Sequence, residues 1–395
     1  MLRKAIDSIK YIKLKDIFAP LIFILAIIPA LVYKTYLAIT KKPLWLICED
    51  GNTARDNGYY FYKYMREKHP EVNCKYVIRK KSCDYEKIAK LGLKPIRTSS
   101  FKHYILYLAA KWNISNHKHG NPNQPFFYVV HVILGLINNR VFLQHGVIKD
   151  DIDCYHYENS KFKYFVTTAD REYEYIKKQY GYKKDEVIKT GLPRFDTLID
   201  ESNKHNQILV MPTWRNWLGR ETNSLHKQES FTETDYFKNW NGLLTSKDFI
   251  NYIEKNNIKV LFYPHQHMQK YLDCFDAKSK NIEIVGMDTD IQKVLRKSKL
   301  LITDYSSVFM DFAYMEKPVI YFHFDYKRYR EGHLKQGYFE YEKDGFGPIC
   351  ETIDEIVGSL KNTEIEKYLK REKRFFLSKS SDHSERLFGV LGGKA

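Results

Sequence analysis

From Leu44 onward, short apolar runs alternate with stretches whose apolar positions recur every three or four residues. Continuous apolar runs of four to eight residues suit strands buried on both faces, and the wider spacing suits helices resting on one side. LWLIC (Leu44–Cys48) predicts a strand, GYYFYKYMREKH (Gly58–His69) a helix, KYVIRK around Val77 a second strand and YEKIAKLG (Tyr85–Gly92) a second helix. SFKHYILYLAAKW predicts a longer helix over Ser99–Trp112 with Ser99 as its cap. NIS, RVFLQ (Arg140–Gln144) and YFVTT (Tyr164–Thr168) continue the strands. A polar break, DESNKHNQ (Asp200–Gln207), then interrupts the pattern. It restarts with ILVMPTW, a helix near Phe249–Lys255, strands at Ile258–Pro264 and Ile282–Gly286, a helix from Asp290, LLIT (Leu300–Thr303), another helix and PVIYFHF (Pro318–Phe324). This alternation predicts an α/β chain of two Rossmann-like domains, residues 43–204 and 205–395, each a mostly parallel sheet covered by helices. Two such domains in tandem predict a cleft, with ligands beyond the carboxyl ends of the strands.

The first 42 residues break the rhythm. Ile17–Tyr33, IFAPLIFILAIIPALVY, carries no charge, and lysines flank it at 10, 13, 15, 34, 41 and 42. The run is short for a spanning helix, which needs about 20 apolar residues, and it contains Pro20 and Pro29. No small-residue cleavage site marks it as a secretory signal. A helix or helical hairpin embedded in one leaflet fits best, because both basic flanks favour the same anionic cytoplasmic surface. A true span and a helix buried on the first domain are the alternatives. The expectation is a peripheral or monotopic protein on the cytoplasmic side of the cell membrane.

Composition narrows the partners. Lys and Arg outnumber Asp and Glu by 64 to 48, a net charge of +16, which attracts polyanions in general. No zinc-finger spacing or RNA-recognition aromatic signature accompanies it, so nucleic acid is not expected. The six cysteines are scattered without a CxxC pair, which argues against a disulfide framework or zinc site and suits a reducing cytosol.

The residues with chemical potential follow strands. In LLITDYSSVFMDF, a buried strand ends at Asp304, and Ser306 and Ser307 open a helix. Unpaired N–H groups beside two hydroxyls make a site for phosphate oxygens. The plainer reading is that Asp304 or Ser306 only caps the helix. In RVFLQHGVIKDD, His145 comes directly after a strand and is a natural general base, and Gly146 permits close approach. A hydrogen-bonded structural histidine is the plainer alternative there, and Lys149 faces either a phosphate or water. TGLPRFDTL places Arg194 and Asp196 after a strand, MPTWR places Arg215, and YPHQHM places His265 and His267. No further ligand cluster accompanies that His-x-His pair, so neither a metal nor a cofactor is expected.

Taken in order, QHG, G-x-PR-x-D, PTWR, a strand-end histidine and DYSSVFMDFAYMEKPVIYF resemble the CDP-glycerol glycerophosphotransferases of teichoic-acid and capsule synthesis. ARDNGYYFYKYM (Ala54–Met65) looks like their amino-terminal segment, and the likeness runs over roughly residues 44–329. The resemblance implies a GT-B fold of two Rossmann-like domains, the second binding most of the donor. It implies transfer of glycerol phosphate, or ribitol phosphate, from a CDP-linked donor to a lipid-linked or polymeric acceptor, with CMP leaving. Carried onto this chain, it implies His145 as catalytic base and Asp304, Ser306, Ser307, Arg215 and His265 as donor-side residues. Gln144, Gly146, Lys149, Arg194, Asp56 and Asn57 are expected on the acceptor side or in support. Gln144 stands where the family usually has Trp, and Val147 where it has Thr or Pro. WLICEDGNTARDNG looks closer to the capsule members. A GT-B glycosyltransferase using a sugar nucleotide is the runner-up, and a non-catalytic polyanion-binding protein the third reading.

Overall fold

The computed structural model describes residues 16–219, 231–361, 365–376 and 379–392. Its described strands form two all-parallel sheets. The first is built from β1 (Trp45–Ile47), β2 (Cys74–Ile78), β3 (Ile96–Arg97), β4 (Trp112–Ser115), β5 (Arg140–Phe142), β6 (Tyr164–Thr167) and β7 (Val187–Lys189), in the order β3-β2-β1-β4-β5-β6-β7. The second is built from β8 (Gln207–Met211), β9 (Lys259–Phe262), β10 (Ile282–Ile284), β11 (Leu300–Thr303), β12 (Val319–Phe322) and β13 (Ile349–Cys350), in the order β10-β9-β8-β11-β12-β13. Each order is that of a Rossmann sheet. The strand order reverses direction at β1/β4 in the first and at β8/β11 in the second, and ligands bind at such points. The central strands are wholly buried, as sheets covered by helices on both faces require.

Five helices shape the functional loops and the apolar surface: α1 (Ala19–Ile39), α2 (Asn57–Lys68), α3 (Phe101–Ala109), α4 (Val308–Tyr314) and α5 (His383–Val390). α1 is one continuous helix through Pro29, not a hairpin, and Lys34 lies inside it and not beyond its end. α3 begins two residues later than expected. Ser100, not Ser99, is its cap, accepting from the His103 N–H, while Ser99 takes a left-handed conformation at φ 56°. Its end also comes early, because Trp112 belongs to β4, where it pairs with Trp45.

The chain forms two compact units. The first takes the chain up to Val147, then Asp153–Asp196 and the stretch from Ser380; the second takes Ile148–Ile152 and Thr197–Lys379. The return of the C-terminal stretch to the first unit is well fastened. Asp196 accepts from the backbone N–H groups of His383 and Ser384 at 2.8 and 3.0 Å, capping the start of α5. Trp112 Nε1 donates to the Leu391 carbonyl at 2.8 Å, and Phe388 packs on Trp45 and stacks on His69. Gly191, at φ 77°, must be glycine here: a Cβ would fall 2.0 Å from His383 Nδ1.

Candidate active site

In the first unit, β1 and β4 end side by side and their following loops carry the polar groups. Glu49, buried just after β1, accepts from the backbone N–H groups of Arg55, Asp56 and Tyr59 at 3.1, 2.9 and 2.8 Å. It thereby ties down the turn that starts α2, and Gly58 lets it come close, since a Cβ there would lie 2.8 Å from Glu49 Cγ. Burial and the neighbouring Asp56 push the Glu49 carboxyl up to about 8, against the pull of those three donors. Asp56 caps α2 and is itself gripped from three sides. Asn116 Nδ2, after β4, donates to its Oδ2 at 2.7 Å; Arg194 Nη1 donates to its Oδ1 at 2.8 Å; His145 Nδ1 lies 2.5 Å from its Oδ2.

His145 is aimed by strain. Gln144 before it has φ 62°, a conformation rare for a non-glycine residue and costing about 1–3 kcal/mol. It is held by bonds on both sides. Gln144 Nε2 donates to Glu172 Oε1 at 2.9 Å and to the Val166 carbonyl, while its own carbonyl accepts from Asn57 Nδ2 at 2.8 Å. Arg194 Nη1 also donates to the His145 carbonyl at 2.7 Å, and its backbone N–H donates to Asn57 Oδ1 at 3.2 Å. The result is an imidazole with Nδ1 on a carboxylate and 63 % of its side chain exposed, leaving Nε2 open. Desolvation pulls this imidazole down, but the charge and hydrogen bond of Asp56 outweigh it and raise its pKa. Asp56, despite its own burial, is held well below the usual carboxylate range by His145 and Arg194. An imidazole oriented by a carboxylate is a proton acceptor poised near neutral pH.

In the second unit the loops after β8 and β11 meet. Asp304 Oδ1 accepts from the Thr213 and Tyr305 backbone N–H groups at 2.8 and 2.7 Å, and its Oδ2 pairs with Arg215 Nη1 at 2.9 Å. Arg215 also forks onto Asp325, Nε to Oδ2 at 2.8 Å and Nη2 to Oδ1 at 2.9 Å, and Nη1 donates to the Thr213 carbonyl at 2.7 Å. Its guanidinium lies 4.9 and 5.2 Å from the ring centres of Tyr305 and Tyr329. Arg215 and Asp304 are both 0 % exposed, so neither presents its charge at the surface. Half-buried Ser306 and Ser307 face differently. Ser307 stands at the head of α4 without using its hydroxyl as a cap, and Ser306 Oγ takes only a long 3.4 Å bond from Val308 N–H. Thr213 Oγ1 is buried without a protein partner.

The expected residues thus separate. Asp56, Asn57, Gln144, His145 and Arg194 come together in the first unit, with Gly146 half-buried next to them. Lys149 does not join them: it is buried in the second unit against Asp150, which Arg330 Nη1 also holds at 2.6 Å. Gln144, Asn57, Arg194, Arg215 and Asp304 are buried, with their charges and amides bonded inside the protein. His265 caps the short 3-10 stretch Gln266–Cys274, and its ring stacks near Trp214 at 5.9 Å. The sequence reading missed Glu49, Asn116 and His117, although all three follow strands and so obey the same rule that found His145. His117 lies 5.0 Å from the His145 ring, and burial with the nearby His145 charge pulls it down to about 4. Asp56, His117 and His145 place donor atoms within 4.8 Å of one another and could ligate a cation, but Arg194 and Asn116 already occupy the carboxylate.

A family model described as CDP-Glycerol:Poly(glycerophosphate) glycerophosphotransferase matches residues 30–390. The minor teichoic acid biosynthesis protein GgaB of Bacillus subtilis is 33% identical over 379 residues, covering 93% of this chain and 41% of that protein. A teichoic acid poly(glycerol phosphate) polymerase of Staphylococcus epidermidis is 22% identical over 368 residues, covering 90% of this chain and 49% of that one. The chain therefore spans less than half the length of these two relatives. A solved structure of the wall teichoic acid polymerase TagF, soaked with CDPG, superposes with a TM-score of 0.66 at 18% identity, over 89% of this chain and 88% of that one. At that identity the likeness is one of fold, and the fold is GT-B-like. UDP-GlcNAc 2-epimerase of Methanocaldococcus jannaschii shares it more distantly, with a TM-score of 0.52 at 10% identity over 88% of this chain and 99% of that one.

Proposed function

Because this chain belongs to the CDP-glycerol:poly(glycerophosphate) glycerophosphotransferase family, we propose that it transfers glycerol phosphate, or a related alditol phosphate, from a CDP-linked donor to a teichoic-acid-like or capsular polymer. The observation that carries this reading is the His145–Asp56 pair, 2.5 Å apart with the far side of the imidazole open. The acceptor hydroxyl oxygen attacks the phosphorus of the donor's glycerol phosphate. Its proton passes to His145 Nε2, Asp56 stabilises the imidazolium, the bond to the bridging oxygen breaks, and CMP departs. Charge growing on the phosphoryl oxygens is met by the hydroxyls of Ser306 and Ser307 and the N–H groups that open α4. Arg215 acts from beneath, fixing Asp304, which in turn fixes the backbone of Thr213 and Tyr305. Incubation with a panel of CDP-alditols should release CMP and leave a phosphodiester in the product. A glycosidic product would support sugar transfer instead.

Two variants probe the parts. Asp56→Asn should lower turnover by about 10²-fold, the lower end of the range for a general base. His145 works only when neutral, so activity is lost as pH falls through its raised pKa. Removing the Asp56 charge lowers that pKa, so the acid limb of the pH–rate profile should move to lower pH; an Asp56 that served only α2 would leave the limb in place. Ser306→Ala with Ser307→Ala should weaken donor binding by about 1.5–3 kcal/mol for each bond lost to charged phosphate, with little change in melting temperature. A pure cap would instead lose about 1 kcal/mol of stability and leave binding intact. Calorimetric titration with CDP-glycerol beside a melting curve separates the two.

The reading includes a seat on the cytoplasmic face of the membrane, where a lipid-linked acceptor would be met. It is supported by α1, 21 residues with mean hydropathy 2.1 over its most apolar stretch and only 17% of that stretch buried.

A further inference from the structure

His117 lies in the loop after β4, and its backbone is pinned. Ser115 Oγ accepts from the His117 N–H at 3.0 Å and donates to the His117 carbonyl at 2.7 Å. Gly120 lets this loop fold back, because a Cβ there would lie 2.3 Å from Ser115 Oγ and 2.8 Å from the Cys48 carbonyl oxygen. Asn116 is fixed by Asp56 at 2.7 Å. The ring of His117 is treated differently from its backbone. Buried His103, His131 and His323 each have a ring nitrogen bonded, to the Ser99 N–H, the Tyr107 hydroxyl and the Asp304 carbonyl. Half-buried His117 has no such bond at either ring nitrogen among the described residues.

That ring faces the histidine read as the base. The His117 and His145 rings lie 5.0 Å apart with their planes 35° from parallel, and a His117 nitrogen comes within 4.8 Å of donor atoms on both His145 and Asp56. The charged groups around it are already engaged. Asp56 is held by His145, Arg194 and Asn116, and Asp50 accepts from the Asn52 and Thr53 N–H groups at 2.8 and 3.0 Å. Exposed His119 stands further along the same loop. Burial, and after it the His145 charge, keep His117 neutral, with a pKa of about 4. A neutral imidazole offers one N–H donor and one lone pair, which suits a hydroxyl group. It also suits a neighbour that becomes an imidazolium, since a second cation so close would oppose that charge.

We propose that His117 binds the acceptor through the hydroxyl next to the one His145 deprotonates, so that the site takes polyol or sugar ends bearing two adjacent hydroxyls. The proposal rests on the proposed transfer and names the class of acceptor it uses. Oxygens on adjacent carbons can each meet an imidazole nitrogen at about 2.8 Å, one at His145 Nε2 and one at His117. Holding both oxygens fixes the rotation about the carbon–carbon bond between them, which aims the attacking oxygen. His117 takes no proton in this scheme. Among the described residues no carboxylate bonds its ring, whereas Asp56 both orients His145 and raises its pKa.

The test follows CMP release by the full chain, using whichever CDP-alditol supports turnover and two pairs of soluble acceptors, one pair ending in glycerol phosphate and one in a hexose. In each pair the second member lacks the hydroxyl beside the point of attachment. For the wild type, kcat/KM should fall about five- to tenfold with that member, the size of one neutral hydrogen bond, and mainly through KM. His117→Ala should lose as much on the complete acceptor and then be indifferent to the missing hydroxyl, with donor affinity and melting temperature near those of the wild type. His117→Asn keeps an N–H and a lone pair at shorter reach and should restore part of the preference. The acid limb of the pH–rate profile should stay in place in both variants, because His117 is neutral on either side of it. Equal use of both members by the wild type, or a preference that survives in His117→Ala, overturns the acceptor role. A shifted acid limb would assign His117 to the handling of the proton instead. Activity lost to a chelator, and restored by zinc only when His117 is present, would give the cluster to a cation; either result overturns the proposal. Should the wild type release no CMP with any acceptor, the proposed transfer itself fails.

Discussion

His145→Ala should lower turnover by roughly 10²–10⁴-fold, the range for removing a general base, while donor affinity barely changes. In the proposed mechanism the imidazole takes its proton through Nε2, while Asp56 orients it through Nδ1 at 2.5 Å. The side chain is largely exposed, so its loss should cost little stability, and a melting curve should be nearly superimposable on that of the wild type. His145→Gln keeps the size and polarity but cannot accept the proton at neutral pH, so it should be almost as inactive. A purely structural histidine predicts the reverse: rescue by glutamine and a fall in melting temperature with alanine. Retention of more than about a tenth of wild-type turnover by the glutamine variant would leave less than about 1.4 kcal/mol of barrier at stake, too little for a base.

Arg215→Met should do the opposite, costing stability before it touches binding. The guanidinium neutralises two buried carboxylates, Asp304 and Asp325. Removing one member of a buried ion-paired set costs about 3–5 kcal/mol, because the partners are left charged in a place water cannot reach. The urea midpoint of the second unit should drop accordingly, and donor binding should fail only as the loops carrying Thr213 and Tyr305 lose their anchor. Adding Asp304→Asn and Asp325→Asn should restore much of the midpoint, since no orphaned charge then remains. If Arg215→Met instead keeps its stability and loses donor affinity, the guanidinium contacts the donor after all, and the buried network is misassigned.

The contrast between these two residues shows what the linear pattern can carry. Both follow a strand, and that rule alone singled out each of them. Strand rhythm reports where backbone ends, and so it located the loops after β5, β8 and β11. It cannot report which way a side chain turns, because that depends on partners far along the chain. Asp325 is 110 residues from Arg215, and Arg330, which holds Asp150 beside Lys149, is 180 residues from that aspartate. An arginine reaching for a ligand and one locked onto a carboxylate look alike in MPTWR. Glu49 and His117 escaped for a different reason: the runs after β1 and β4, EDGNTARDNG and NHKHG, hold many polar residues, and only the fold shows that Asp56 and Asn116 converge on one another.

The closure of the first unit by α5 has a consequence for synthesis. Its sheet is fully translated by Lys189, but the helix that covers Trp45 and His69 and is capped by Asp196 begins only at His383. At roughly 5–20 residues per second, an interval on the order of ten seconds or more separates the two on the ribosome. During that time the first unit waits with an uncovered apolar face while the whole of the second unit emerges and folds. A nascent chain arrested before residue 383 should therefore bind chaperone through that face, and release it once α5 clears the exit tunnel.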